Sequence, residues 1–218
     1  MSPIDYNARE AASGRFTGDM LTELIRQWQG QSGLHVDGYC GPNTQDSLRA
    51  QLGGESPASS PLGLAALAVA IEQIGKGEEG GNNSGAFVEM LHGKEYDGHD
   101  DDDGAWCAAF VSWCFERACA ARVPEKMPFR RSGVAKVLWR RVGAAGSFPV
   151  APAPGDVVCW DRGKRGSWQG HVGFVERVEG GILHTVEGNV GSFPSRVRRF
   201  THDLTMQRRL EGFARPRR

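Results

Sequence analysis

The chain has 218 residues, 39% of them hydrophobic, with 26 Lys+Arg balancing 26 Asp+Glu for a formal net charge of zero. That is room for one ordinary domain and a small one, and enough apolar content for a buried core. The charge balance argues against a nucleic-acid partner, which rewards a basic excess, and the longest apolar stretch, residues 62–71, is too short to span a bilayer, so no membrane partner is expected.

Residues 1–15 contain no apolar run of the kind that a secretory leader needs, so synthesis in the cytoplasm without a signal peptide is expected. The five cysteines, Cys40, Cys107, Cys114, Cys119 and Cys159, are odd in number, and the chain is too long to need staples. A disulfide framework is not expected. The segment from Gly53 to Pro61 is rich in Gly, Ser and Pro and reads as a linker between residues 1–52 and residues 62–218.

In the first unit Thr17 can cap a helix running to about Gln31, with Leu21, Leu24, Ile25 and Trp28 on one face. A turn-rich stretch follows from Gly33 to Thr44. Asp37-Gly38 makes a tight turn and Gly41-Pro42 resets the chain before a short helix from Thr44 to Leu52. Trp28-Gln29, Gly33-Leu34, Val36-Asp37-Gly38, Gly41-Pro42, Thr44, Leu48 and Leu52 together resemble the second half of the peptidoglycan-binding domain family, over about forty residues. Cys40 stands where that family usually has an aromatic or aliphatic residue. The resemblance implies a small all-α unit that binds peptidoglycan, with Trp28 and Asp37 as candidate substrate contacts.

The second unit opens with expected helices over Leu62–Ile74, Gly85–His92 and Trp106 to about Ala121, with an acidic loop from Lys94 to Gly104 before the last. After the Pro-rich stretch 149–154, strands are expected at Asp156–Asp161, His171–Val178, Ile182–Asn189, Val197–Thr201 and Leu210–Ala214. Helices first and an antiparallel meander afterwards make the class α+β.

Cys107 falls in the first turn of the third of these helices, directly after a Gly-containing loop. Free backbone N–H groups and the helix dipole stabilise an anion there, which is where a nucleophilic thiolate is wanted. Cys107, Cys114 and Cys119 share the helix at separations too long, or on faces too different, for bridging. His171 begins one strand, and Glu187 and Asn189 end the next. If the intervening loop is centred on Gly180, His171 faces Asn189, with Glu187 its diagonal neighbour on the same face. A plain two-residue Gly180-Gly181 turn would set His171 opposite Val190 instead, so an odd loop or a bulge is expected. In that geometry Cys107 attacks, His171 moves the proton, and Glu187 or Asn189 holds the imidazole.

Trp106-Cys107-Ala108-Ala109-Phe110-Val111, Pro154-Gly155-Asp156-Val157-Val158, Gly170-His171-Val172-Gly173-Phe174 and Glu187-Gly188-Asn189 closely resemble, in order and over about residues 64–216, the CHAP family of cysteine- and histidine-dependent amidohydrolases/peptidases. The resemblance implies a papain-like core that cleaves an amide bond of peptidoglycan, with Cys107 as nucleophile, His171 as base, Glu187 as orienter and Asn189 as polar support. A binding unit tethered to such a hydrolase resembles a phage endolysin. An injected wall-degrading toxin and a non-catalytic wall-binding or anchoring protein are the alternatives. Trp106 and Trp168 are candidate substrate contacts. No metal and no cofactor is expected in the chemistry. Clustered carboxylates at Asp97, Asp100, Asp101, Asp102 and Asp103 suit calcium, although their spacing is not an EF-hand loop and Ala109, two residues past Cys107, is no acid. Peptidoglycan is the expected partner, and a monomer the expected state.

Overall fold

The computed structural model of the chain describes residues 13–14, 17–41, 43–45, 47–48, 59–93, 104–121, 126–149, 151–164 and 166–216. The candidate calcium ligands Asp97 and Asp100–Asp103 lie outside the described residues, as does most of the Gly53–Pro61 stretch. The chain divides into two compact units, residues 1–56 and 57–218. Among the described residues no helix is long and apolar enough to cross a membrane.

In the first unit, helix α1 (Gly18–Gln31) starts where its cap is: the Thr17 hydroxyl accepts from the Met20 N–H at 3.3 Å. Residues 43–45 and 47–48 are helical. Between them the chain is organised by one buried side chain, Gln29. Its Oε1 accepts from the N–H groups of Asp37 and Gly38, and its Nε2 donates to Asp37 Oδ1, the Tyr39 carbonyl and Thr44 Oγ1. Gly38, at φ +80°, supplies the left-handed residue that the turn requires. Trp28 donates its indole N–H to Ser47.

The second unit is α+β. Helix α2 (Pro61–Glu72) is capped by Ser60 and started by Pro61, α3 (Ala86–His92) is short, and α4 (Cys107–Ala120) is buried along ten of its residues. Helix α5 (Ala135–Ala144) follows, then β1 (Val157–Asp161), β2 (Gly170–Glu179), β3 (Ile182–Glu187), β4 (Arg198–Asp203) and β5 (Leu210–Ala214). The strands form one antiparallel sheet in the order β4-β3-β2-β1-β5. The helices α2 to α4 and all five strands stand within two or three residues of their sequence expectation. Helix α5 was not expected, although Ala135, Leu138 and Val142 repeat at helical spacing and are buried.

Period-2 alternation gives the sheet two cores. Val157, Cys159, Val172, Phe174 and Val186 pack under the helices with Phe110, Val111, Cys114 and Leu138. Val158, Trp160, Val175, Leu183, Leu204 and Phe213 form a second cluster. The rings of Trp160 on β1 and His202 on β4 meet with centroids 4.8 Å apart, although two strands lie between them, so the sheet curls around this second cluster.

The Pro154-Gly155-Asp156 turn fixes β1 against α2. A Cβ on Gly155 (φ +86°) would lie 2.3 Å from the Gly63 carbonyl carbon, so the two backbones touch only because both residues are glycine. Asp156 is fully buried and is satisfied by the Ala153 N–H and by a two-pronged Arg215 at 2.7 and 2.8 Å.

Candidate active site

The hairpin β2–β3 settles which residue faces which. Its turn is the two-residue Gly180-Gly181, both at positive φ, as hairpins favour. Pairing runs Glu179↔Ile182, Val178↔Leu183 and Arg177↔His184, then shifts to Val175↔Thr185 and Phe174↔Val186. The extra residue is Glu176, a β-bulge. Without it a turn of this length would set His171 opposite Val190. With it, Gly173 falls opposite Glu187, and Asn189 continues toward His171. The bulge that the sequence called for lies in the strand, not in the loop.

Space then decides how Glu187 lies. A Cβ on Gly173 would sit 2.5 Å from Glu187 Cγ, so the glycine leaves the channel through which the carboxylate reaches the histidine. His171 Nε2 and Glu187 Oε2 are 2.8 Å apart, both side chains being almost fully buried. Glu187 Oε1 accepts from the Thr185 hydroxyl and is 2.7 Å from His202 Nε2. His171 stacks on Trp160, its partner across β1–β2, at 5.6 Å and 27°.

Cys107 enters from the opposite direction, at the N-terminus of α4, which no side chain caps. Its thiol shares a cleft with His171, and both the His171 ring and the Val172 N–H favour its ionised form. Nε2 being engaged by Glu187, Nδ1 is the ring nitrogen left for sulfur. Burial pushes the Cys107 thiol up, but the His171 charge and hydrogen bond, the Val172 N–H and the Arg162 charge bring it below its ordinary value. His171 responds in kind: burial opposes its charge, yet Cys107 and Glu187 raise it to about 9. Burial also acts to raise Glu187, but its bonds to His171, His202 and Thr185 bring it down to about 2. The three shifts all run toward a thiolate–imidazolium–carboxylate row. Cys114, Cys159 and Cys40 do not share this setting. Burial pushes Cys114 well up and Cys159 up to about 12, and Cys40 is exposed.

Cys107 and His171 open on a cleft of about 350 Å³ whose lining includes Arg162, Trp168, Gln169 and Asn189. Asn189 (φ +62°) thus sits in the cleft wall, and Trp168 is half exposed there. Trp106 is a correction to the sequence reading: it is 0% exposed. Its indole donates to buried Glu78 and packs so tightly on Gly188 that a Cβ there would lie 2.3 Å from the ring, so it cannot touch substrate. Asp37 and Trp28, in the first unit, are engaged with Gln29 and Ser47, respectively. Among the described residues no group of three or more His, Cys, Asp or Glu side chains could hold a metal ion.

Four contributors escaped the sequence reading. Thr185 and His202 hold Glu187, and Arg162 lines the cleft. Lys136, buried on α5, bonds to Asp161 and to the Ser167 carbonyl and so anchors the two ends of the segment that carries Arg162 and Ser167 to the sheet. Only Thr185 carried a usable signal, lying two residues before Glu187 on the same strand face.

The family described as CHAP domain matches residues 99–189. No curated protein matches the chain. Among solved structures the chain is similar to the crystal structure of Ly7917, at 20% identity and a TM-score of 0.43, covering 70% of this chain and 61% of that one. It is likewise similar to Ly7917 with the hydrolyzing product of MDP, at 20% identity and a TM-score of 0.42, covering 70% and 62%. The chain thus spans less than two thirds of the length of those proteins.

Proposed function

We propose, from the match of residues 99–189 to the CHAP domain family and the geometry of the site, that this protein hydrolyses an amide bond of peptidoglycan through a Cys107–His171–Glu187 thiolate mechanism, as an endolysin-type enzyme. The observation that carries the reading is the buried row itself: a thiol at an uncapped helix N-terminus, sharing a cleft with a histidine whose Nε2 is held by a carboxylate 2.8 Å away. The Cys107 thiolate attacks the amide carbonyl carbon. The C=O π electrons move onto oxygen, a developing charge that the N-terminus of α4, which no side chain caps, is suited to stabilise. The His171 imidazolium gives its proton to the leaving nitrogen as the C–N bond breaks, leaving a thioester on Cys107. Water then attacks the thioester, His171 takes its proton, and the acid leaves as the thiolate is restored. Glu187 stays ionised throughout and fixes the ring. Asn189, in the cleft wall, supports the substrate or the ring.

The first unit, by its resemblance to peptidoglycan-binding domains, is proposed to hold the enzyme on the wall. Product chemistry tests the reading: purified sacculi digested with the protein should gain free amino groups and no new reducing sugar ends. New reducing ends without new amines would overturn it.

A further inference from the structure

We propose that His202 is a positioning residue of this site, holding the Glu187 carboxylate in the orientation from which it pairs with the His171 imidazolium. The proposal rests on reading His171 as the general base.

A glutamate has three rotatable side-chain bonds, so one hydrogen bond leaves its carboxylate free to turn. In Glu187 the Oε2 atom serves His171. Among the described residues the partners of Oε1 are two side chains, the Thr185 hydroxyl and His202 Nε2 at 2.7 Å. Thr185 is two residues away on the same strand. His202 comes from β4 and ties the carboxylate to a second strand.

The His202 ring is itself held. It packs against Trp160 at 4.8 Å and 44° and against Phe200 at 6.5 Å and 29°. Trp160 also stacks on His171. A single indole thus sets the planes of the two imidazoles that flank Glu187. The other charged side chains lining the cleft beside His202 are Asp161, Arg162 and Arg209. Asp161 is bonded to Lys136, and Arg209 donates to the Gly163 carbonyl. Cys107 lies beyond His171, and Arg198 on β4 is the direct cross-strand partner of Glu187. The Nε2–H of His202 donates to Oε1, which leaves Oε2 for the His171 N–H.

Three variants separate the hydrogen bond from the packing. His202→Phe keeps a ring against Trp160 and removes the donor. His202→Gln places an amide N–H near the position of Nε2 and cannot ionise. His202→Ala removes both. Two readouts apply. One is kcat and KM for amino-group release from sacculi. The other is the pH dependence of iodoacetamide alkylation at Cys107, followed by peptide mass spectrometry so that exposed Cys40 is counted separately. We expect His202→Ala and His202→Phe to lower kcat by about 10–100-fold with little change in KM, the size usual for loss of a partner that orients a functional ligand. The acid limb of Cys107 alkylation should move to higher pH in both. His202→Gln should recover most of kcat and the limb.

Wild-type values in His202→Phe, or a His202→Gln no better than His202→Phe, would overturn the proposal, as would a limb that stays put or moves to lower pH. Alkylation needs no substrate. If the wild type releases no amines while the limb still moves as expected, the wall-hydrolase reading fails and the positioning role stands.

Discussion

At Glu187 burial and pairing work against each other. A carboxylate almost fully buried should resist ionisation, yet three hydrogen bonds hold it near 2. Together with the Cys107 thiolate, its charge makes the His171 imidazolium tolerable inside the protein. Glu187→Gln keeps a carbonyl acceptor and loses the charge. We expect it to lower kcat by about 10²–10⁴-fold, against roughly 10⁴–10⁶-fold for His171→Ala, since removing an orienter costs less than removing the base. Gly173→Ala should mimic the glutamate variant without touching any ionisable group, because the added methyl occupies the position that Glu187 Cγ needs. Steady-state kinetics on soluble wall fragments checks both. The pH dependence follows from the same row. Activity should rise as the lowered Cys107 thiol ionises and fall as His171 loses its proton near 9. For stability the signs differ by group. The His171 share is complete below its ordinary 6.5 and lost as pH rises through about 9. The Glu187 share is present above its ordinary 4.5 and lost as pH falls through about 2. Thermal unfolding across pH should therefore lose midpoint at both extremes.

At the scale of elements, the site depends on a one-residue irregularity in one strand and on helix α5, whose first residue, Ala135, lines the cleft. The bulge at Glu176 moves the register of β2 by one, and it is braced by the paired contacts of Glu176 with Arg199 on β4. Helix α5 brings Lys136 to Asp161 and the Ser167 carbonyl. Lys136→Met would leave the Asp161 carboxylate without its cation. The expected cost is about 3–5 kcal/mol in chemical denaturation, as for other broken buried pairs. KM should rise more than kcat falls, because the anchored segment carries Arg162 and adjoins Trp168 rather than Cys107. These elements mark how far the sequence could be read. Helices α2 to α4, the strands and the meeting of Cys107, His171 and Glu187 were legible because periodicity and residue parity are local signals, whereas α5 was not read. The need for a bulge was legible too, but its position was not, since Glu176 has no distinguishing chemistry. His202 lay beyond reach because its contact depends on the curl of the sheet, and Trp106 was misjudged because an aromatic beside a nucleophile reads alike whether it faces the cleft or Gly188.

For the whole molecule, the division into residues 1–56 and 57–218 makes a cut informative. A chain beginning at Pro57 keeps Ser60, whose hydroxyl caps α2, and Pro61 at its first turn. It should fold and hydrolyse soluble wall fragments at close to the full rate. It should lose rate on intact sacculi, because tethering by the first unit raises local concentration there. Co-sedimentation of residues 1–56 with sacculi checks the other half, and no binding would remove the wall-anchoring role from that unit. The central claim remains that Cys107 carries the covalent step. It is tested most directly by the rate of amino-group release from purified sacculi by Cys107→Ser, with circular dichroism confirming the fold. The account predicts a fall of about 10⁴-fold or more, as when other covalent nucleophiles are removed, with Cys40→Ser, Cys114→Ala and Cys159→Ala all active. Release by Cys107→Ser at the wild-type rate would contradict it.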